Sequence, residues 1–282
     1  MTSDGTIGAE HTSYVDLGDV TLFVRELGRR RPDRSSLLLL HGGPDVGHSY
    51  LLPGVRPLAV DHHVVLFDFR GCGRSSRNLA PDDLQPEYVI NDAHRLIAEL
   101  GLGPVDLLGF STGGRAAIRY LQEYPADVGK IILASTSAYD GSASRPYLEH
   151  WDEYHRRERI EQEAGGRLRN STVFIWDLEL APGYLSMIND LDEGDWSYQR
   201  YLDGRMHPWL IEDAEETLRR AGRPALILHG DKDMGFPVQL AHRLHRAVPD
   251  SVLKIIPDAA HMCQYEKPDL WADHIHHFLI SG

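Results

Sequence analysis

Six short apolar runs, each ended by a glycine, a proline or a polar residue, constrain the fold of this chain more than any other feature. They occupy residues 36–40, 64–69, 105–110, 130–134, 225–229 and 252–256. Near-continuous hydrophobicity over about five residues is typical of strands that are buried on both faces of a parallel sheet. Residues 20–27, which mix β-branched and aromatic side chains, predict one further strand.

Helical patterns lie between several of these runs. They cover residues 87–100, 112–124, 237–247 and 268–280. In the first of them, the apolar side chains recur on one face, and Gly101 follows as a stop signal. The alternation of strands and helices predicts an α/β domain with a doubly wound, mostly parallel sheet.

Residues 138–210 interrupt this alternation. They hold 11 of the chain's 24 aromatic residues, together with 14 acidic and 8 basic residues. A segment of this length is unlike a plain loop, so we expect a mostly helical cap, with residues 1–137 and 211–282 forming the core. Its aromatic side chains either fill the cap's own small core or line a substrate pocket, and Trp151 is a candidate for the second role.

The most specific motif is Gly109-Phe110-Ser111-Thr112-Gly113, a G-x-S-x-G sequence. It lies between the predicted strand 105–110 and the predicted helix 112–124, the context in which such a turn forces a serine out of the sheet. The helix N-terminus behind Ser111 adds partial positive charge where an oxyanion would form. Ser111 is therefore the predicted nucleophile.

A nucleophilic serine needs a base and an acid that orients it. His261 follows the last strand and precedes the last helix, which makes it the predicted base. Asp233 lies just beyond the strand 225–229, and the chain order Ser–Asp–His suits this sheet topology. Asp231 and Asp258 are alternatives for the acid; we favour Asp233 because it lies farther out from the end of its strand.

A tight turn after the strand 36–40 is a candidate for stabilising an oxyanion. His41-Gly42-Gly43-Pro44 follows that strand directly. The backbone amides of Gly43 and Thr112 are predicted to converge on the same point and form an oxyanion hole. The alternative is a glycine-rich turn without a catalytic role.

Taken in order, these motifs resemble the α/β-hydrolase superfamily. The pattern comprises HGGP at 41–44, D-x-R-G-x-G-x-S at 68–75, the serine turn, HGDKD at 229–233 and AAH at 259–261. It is most similar to the proline iminopeptidase family and its relatives. That resemblance implies a serine hydrolase that releases an N-terminal residue, with acids of the cap binding the free amine. Trp176-Asp177 is the nearest match to the family's W-x-x-W-E stretch, which implies substrate binding at these two residues.

The chain also departs from the iminopeptidase pattern. Asp45 stands where a further glycine is usual, and Phe110 and Thr112 flank the serine where that family has glycine and an aromatic residue. The sequence GFSTGG is similar to the corresponding turn of many small-molecule esterases and lactonases.

Composition excludes several other functions. The formal net charge of −13 disfavours nucleic-acid and anionic membrane surfaces as partners. Two cysteines are too few for a disulfide framework, and the polar N-terminus has no signal-peptide pattern, so a cytoplasmic protein is expected. Metal-binding and dinucleotide-binding motifs are missing from the sequence, which predicts neither a metal nor a cofactor.

These observations predict a cofactor-free serine hydrolase that acts by acyl transfer on a small ester, lactone or related carbonyl substrate. A proline iminopeptidase-type aminopeptidase is the first alternative. The same fold also serves lyases and cofactor-independent oxygenases, and a ligand-binding protein that has kept the triad is a further alternative.

Overall fold

A computed structural model describes residues 9–43, 46–148, 151–191, 194–196 and 204–281. These residues contain an eight-stranded sheet with the strand order β1-β2-β4-β3-β5-β6-β7-β8. Its strands are β1 (Glu10–Asp16), β2 (Thr21–Leu27), β3 (Leu37–Leu40), β4 (Val64–Phe67), β5 (Val105–Phe110), β6 (Val128–Ala134), β7 (Ala225–Gly230) and β8 (Val252–Ile256). The pairs β1–β2 and β2–β4 are antiparallel, and all other neighbours are parallel.

Helices cover both faces of this sheet. They are α1 (Leu52–Val55), α2 (Pro86–Glu99), α3 (Thr112–Glu123), α4 (Arg145–Leu148), α5 (Asp152–Glu163), α6 (Ser171–Phe174), α7 (Ala181–Asn189), α8 (Ala214–Ala221), α9 (Val238–Ala247), α10 (Cys263–Glu266) and α11 (Pro268–Ile280). Within the described ranges, none of the helices combines the length and the hydrophobicity needed to cross a bilayer.

Alternate side chains of the central strands enter two separate hydrophobic clusters. Leu38 and Leu40 of β3 pack with residues of α2, α3, α8 and α9, whereas Leu37 and Leu39 pack with residues of α1, α7 and α11. Because each strand is buried on both faces, its sequence is uniformly apolar rather than alternating. The predicted α/β class with a doubly wound, mostly parallel sheet is confirmed.

Strand β1 is the one strand in the described sheet that no sequence pattern predicts. It pairs with β2 over seven residues at the edge of the sheet. Of its side chains only Val15 is buried, so it has no apolar run that a pattern could detect. Its place is determined by backbone pairing with β2 rather than by burial.

The segment between β6 and β7 contains helices α4 to α8. Residues 149–150, 192–193 and 197–203 of this segment, like residues 1–8 of the predicted core, lie outside the described residues. Trp196 and Trp209 are buried with their ring centroids 5.1 Å apart, and the indole of Trp196 donates a hydrogen bond of 2.8 Å to the Arg70 carbonyl. For these two tryptophans, the role is to fill the core. The division into a core and a cap at 138 and 210 stays a prediction.

The strand order places a crevice next to β3. The chain passes from β3 to β4 on one side and then returns to β5 on the other side of β3. In doubly wound sheets, ligands bind outside the carboxyl ends of the strands at such a reversal. The turns that carry Gly43 and Ser111 follow β3 and β5, so both lie at this crevice.

Candidate functional site

Ser111 sits at a strained turn between β5 and α3. Its backbone has φ 54° and ψ −121°, outside the regions that residues with a side chain usually adopt. The turn is possible because glycines lie on either side. A Cβ on Gly109 would come within 2.3 Å of the Gly113 carbonyl oxygen, and one on Gly113 within 2.1 Å of the Leu40 carbonyl oxygen. This packing holds the start of α3 against β3 and β5 and presents the half-buried Ser111 at the end of the sheet.

Three of the predicted residues form a continuous hydrogen-bonded chain. Ser111 Oγ lies 3.0 Å from Nε2 of His261, and Nδ1 of the same ring lies 2.9 Å from Oδ2 of Asp233. An ionised carboxylate can only accept a hydrogen bond. Nδ1 is therefore the protonated ring nitrogen, and it donates the hydrogen bond that Asp233 accepts. The lone pair of Nε2 therefore faces the serine hydroxyl, which is the tautomer that a general base requires.

Asp233 is fully buried, and its partners hold it in the ionised form. Burial alone would raise the pKa of this carboxyl, but the facing rings of His261 and His229 hold it well below its usual range. Oδ1 accepts the amides of Gly235 and Phe236, both at 2.8 Å. These bonds fix the carboxylate in one orientation and leave Oδ2 for the imidazole.

The other two acids considered from sequence lie elsewhere. Asp231 lies 3.0 Å from the ammonium of Lys232, and its Oδ1 is 3.4 Å from the amide of Ala259. Asp258 is exposed. Among the described residues, the side-chain hydrogen bonds of His261 go to Ser111 and Asp233.

Aromatic side chains enclose the imidazole of His261. The rings of Phe110, Phe174 and Phe236 lie 5.5, 4.9 and 5.6 Å from it, centroid to centroid. Phe174 also lines a cavity of about 510 Å³, together with Val173, Met234 and Gly235. Tyr154, Glu158 and Arg169 are among its polar lining residues. Because Gly235 donates to Asp233, this cavity and the hydrogen-bonded chain share a wall.

The two residues predicted to form an oxyanion hole are brought together. The Thr112 hydroxyl donates a hydrogen bond of 3.2 Å to the Gly43 carbonyl. Thr112 is the first residue of α3, so its amide has no acceptor within the helix. Gly43 is exposed and has φ 106°, a conformation that favours glycine. Pro44 and Asp45, which complete the turn in the sequence, lie outside the described residues.

His41 connects this turn to the neighbouring loop after β4. Its ring is fully buried; Nδ1 donates to the Gly42 carbonyl at 2.8 Å, and Nε2 accepts the Phe69 amide at 3.0 Å. Burial lowers the pKa of His41 to about 4. Protonation would destroy the acceptor at Nε2, so the folded protein holds this ring neutral.

The buried neutral ring of His41 predicts a loss of stability on acidification. The unfolded chain binds a proton at this histidine below its ordinary pKa of 6.5, whereas the native state binds one only near pH 4. Protons are then taken up on unfolding, and His41 alone should lower the free energy of unfolding by about 2 kcal/mol between pH 7 and pH 5. His62, whose pKa burial also lowers to about 4, adds to the total decrease. Urea denaturation at both pH values measures this difference. The difference should shrink in His41→Gln but not in His11→Gln, which changes an exposed histidine; equal differences in both variants would contradict the assignment.

Asp68, in the loop after β4, also connects that loop to the loop after β3. Its carboxylate accepts the backbone amides of His48 at 2.7 Å and of Arg74 at 2.9 Å. Burial would raise the pKa of Asp68, but its bonds to His48 hold it well below the usual range. The motif residue Asp68 thus joins the loops after β3 and β4.

Among the described contacts, none joins the predicted substrate-binding residues of the cap directly to the triad, and their role in binding stays a prediction. Trp151 is half-buried at the start of α5, and Trp176 is half-buried with the Arg157 guanidinium 4.7 Å from its ring. Asp177 is exposed, and its carboxylate accepts the amide of Glu179 at 3.1 Å. None of these three residues lines the described cavity.

Several residues at the site were not identified from the sequence. His229 is one of them: its Nε2 is buried 3.2 Å from Oδ2 of Asp233 and 2.7 Å from the Phe236 carbonyl. Its location at the end of β7, four residues before Asp233, was the available signal. Phe174 and Met234 had no sequence signal, because their contacts depend on how the segment 138–210 packs. In the described part of the chain, no three His, Cys, Asp or Glu side chains are grouped to hold a metal ion.

Comparisons with known proteins agree with this geometry. The family model for the alpha/beta hydrolase fold matches residues 36–268. A proline iminopeptidase of Neisseria gonorrhoeae is 26% identical over 294 residues, covering 92% of this chain and 92% of that protein. The esterase EaEST of Exiguobacterium antarcticum has a TM-score of 0.74 at 20% identity, covering 96% of this chain and 100% of that chain. An enol-lactonase of Burkholderia xenovorans has a TM-score of 0.72 at 19% identity, covering 95% and 100%.

At 20% and 19% sequence identity, the similarities to the esterase and the enol-lactonase structures show a shared fold. The family match spans most of the chain and includes all three residues of the hydrogen-bonded chain, from the nucleophile turn to the late histidine. It confirms the resemblance seen in the ordered motifs. This chain is a member of the α/β-hydrolase family of enzymes.

Proposed function

We propose that the chain is a cofactor-free serine hydrolase that acts by acyl transfer on a small ester, lactone or related carbonyl substrate. The observation that carries the proposal is the relay from Ser111 Oγ through His261 to the buried Asp233, with distances of 3.0 and 2.9 Å. This is the arrangement of nucleophile, base and orienting acid that acyl transfer uses.

The first half-reaction forms an acyl-enzyme. Ser111 Oγ attacks the carbonyl carbon while its proton passes to Nε2 of His261, and Asp233 stabilises the resulting imidazolium. Collapse of the tetrahedral intermediate breaks the bond to the leaving alcohol oxygen, which takes the proton from Nε2. In the second half-reaction, Nε2 accepts a proton from water as the water oxygen attacks the acyl carbon. Collapse of this second tetrahedral intermediate breaks the bond between the acyl carbon and Ser111 Oγ. Oγ takes the proton back from Nε2, and the carboxylic acid product is released.

The negative oxygen of each tetrahedral intermediate needs donors that are already in place. We assign this role to the amides of Gly43 and Thr112, because the hydroxyl bond between these residues sets the two turns side by side. The N-terminus of α3 adds favourable electrostatic potential at the same point.

The cavity beside Phe174 supports a small substrate with an apolar part. Val173, Phe174 and Met234 provide apolar surface, and the Phe174 ring lies 4.9 Å from the His261 ring. We propose that residues 138–210 act as a cap that supplies part of this wall.

A parallel measurement of kcat/KM tests the substrate class. We expect short-chain esters or lactones to be turned over faster than the β-naphthylamide of proline, since an aminopeptidase must pair the substrate's cationic amine with a placed carboxylate. Asp177, the nearest match to the peptidase pattern, is exposed and bonded to a local amide. Ser111→Ala serves as the control that links any turnover to this site.

Proline iminopeptidase activity is the second candidate, favoured by the relative from Neisseria gonorrhoeae. It would be supported by a kcat/KM for the proline amide above that of every ester and lactone tested, with a collapse of this value in Asp177→Asn. That result would overturn the ester or lactone assignment while leaving the nucleophile unchanged.

A further inference from the structure

A buried carboxylate outside the triad joins the cap segment to the loop of the candidate base. Glu266, the last residue of α10, is 7% exposed. Its Oε2 accepts the amide of Ala260 at 2.7 Å, and Ala260 directly precedes His261. Its Oε1 accepts the amides of Trp176 at 2.8 Å and of Asp177 at 3.0 Å. One side chain thus binds two segments that lie more than eighty residues apart in the sequence.

The segment on the cap side carries a wall of the cavity. Phe174 packs its ring 4.9 Å from that of His261, and its carbonyl accepts the amide of Met262 at 3.0 Å. Arg157, itself buried, donates to the carbonyls of Ile175 at 2.7 Å and Trp176 at 3.0 Å. Arg157 therefore holds the carbonyls of this segment, and Glu266 holds its amides.

A buried carboxylate such as that of Glu266 is destabilising unless hydrogen bonds satisfy both of its oxygens. Burial raises the pKa of the Glu266 carboxyl, while the three amide bonds act in the opposite direction. A carboxylate suits this place because both of its oxygens accept and neither donates. A glutamine would direct its side-chain NH₂ group either at the Ala260 amide or at the amides of Trp176 and Asp177. Two hydrogen-bond donors would then face each other without an acceptor.

We propose that Glu266 is a positioning residue that fixes the His261 loop and the Phe174 wall of the cavity in one geometry. The proposal rests on the hydrolase function proposed above. It assigns to Glu266 a joint effect on alignment of the base and on substrate binding, since Ala260 lies next to His261 and the two bound cap amides closely follow Phe174, which lines the cavity.

The test compares Glu266→Gln with Glu163→Gln, which removes the same charge from an exposed position of α5. Hydrogen exchange at the amides of Ala260, Trp176 and Asp177 is measured by NMR, with the core amide of Leu108 as a reference for global opening. In parallel, kcat and KM are measured on the best ester or lactone. Exchange reports on the contact without requiring activity.

We expect Glu266→Gln to speed exchange at the three amides more than at Leu108. We also expect kcat/KM to fall by about tenfold to a hundredfold relative to Glu163→Gln, with changes in both kcat and KM. A merely structural role would speed all amides alike and leave the kinetic constants of the folded fraction unchanged, and this result would overturn the proposal. So would faster local exchange with kcat/KM within twofold of the control. A wild-type protein without hydrolase activity would refute the proposed function instead, while the exchange data would still test the contact.

Glu266→Asp keeps the test decisive if the glutamine variant does not fold. Aspartate retains two accepting oxygens but is one methylene shorter, so it cannot reach both segments at their present separation. We expect a folded protein with kcat/KM between those of the wild type and the glutamine variant, and faster exchange on one side of the contact. Wild-type kcat/KM together with unchanged exchange at all three amides in Glu266→Asp would overturn the proposal.

Discussion

Replacing Ser111 by alanine is expected to lower kcat for ester or lactone hydrolysis by about 10⁴-fold or more. The variant loses the oxygen that lies 3.0 Å from Nε2 of His261 and that would form the acyl-enzyme. The fold should persist, because a methyl group fits where the serine side chain lies and the glycines that permit the turn are unchanged. Steady-state kinetics with thermal unfolding as a check of folding provides the measurement.

The matched control is Ser35→Ala, which changes an exposed serine before β3. It should retain wild-type activity and should react with a fluorophosphonate at the wild-type rate, whereas Ser111→Ala should not react. If Ser111→Ala kept even a tenth of the wild-type activity, the nucleophile would have to be another residue.

The sequence was sufficient for those parts of the fold and site that depend on strand ends. A strand that is buried on both faces has an uninterrupted apolar sequence, which can be recognised without a structure. The four leucines of β3 are an example. Once a parallel sheet is expected, a serine after one strand and a histidine after another must lie at the same edge. The proximity of Ser111 and His261 follows from topology, although they are separated by 150 positions.

The sequence was insufficient where a contact depends on how the segment between β6 and β7 packs. The ring contact of Phe174 with His261 and the bonds of Glu266 to Trp176 and Asp177 arise from that packing, and neither Phe174 nor Glu266 stands in a motif. For Trp176 and Asp177, the resemblance to a motif predicts a substrate contact of the side chains, and this stays a prediction. The structure adds that their backbone amides bind Glu266, which a local sequence pattern could not reveal.

The choice of Asp233 over Asp231 illustrates an intermediate case. Both acids follow β7, and in the sequence they differ in how far each lies beyond the strand. The structure adds a physical difference between them: Asp233 is buried with Oδ2 directed to His261, while Asp231 is partly exposed beside Lys232. Their substitution should therefore have different consequences.

Asp233→Asn is expected to lower kcat by roughly 10⁴-fold, the loss seen when the acid of a related triad becomes an amide. The asparagine oxygen can still accept the amides of Gly235 and Phe236, so the loop should keep its conformation. Its amino group would then face His261 and donate to Nδ1. The imidazole would carry its proton on Nε2, where it cannot accept the proton of Ser111.

Asp231→Asn is the paired control, because it removes the same charge two residues away. It loses an ion pair with Lys232 at a partly exposed position, where such pairs contribute little, so kcat should stay within a few-fold of the wild type. Both variants should be compared by kcat at one pH and by their rate of fluorophosphonate labelling, which depends on activation of the serine but not on deacylation. A larger loss in Asp231→Asn than in Asp233→Asn, in both measurements, would transfer the role of orienting acid to Asp231. Slow labelling of Asp233→Asn alone would show that the acid acts on the first half-reaction, in which His261 takes the proton from Ser111.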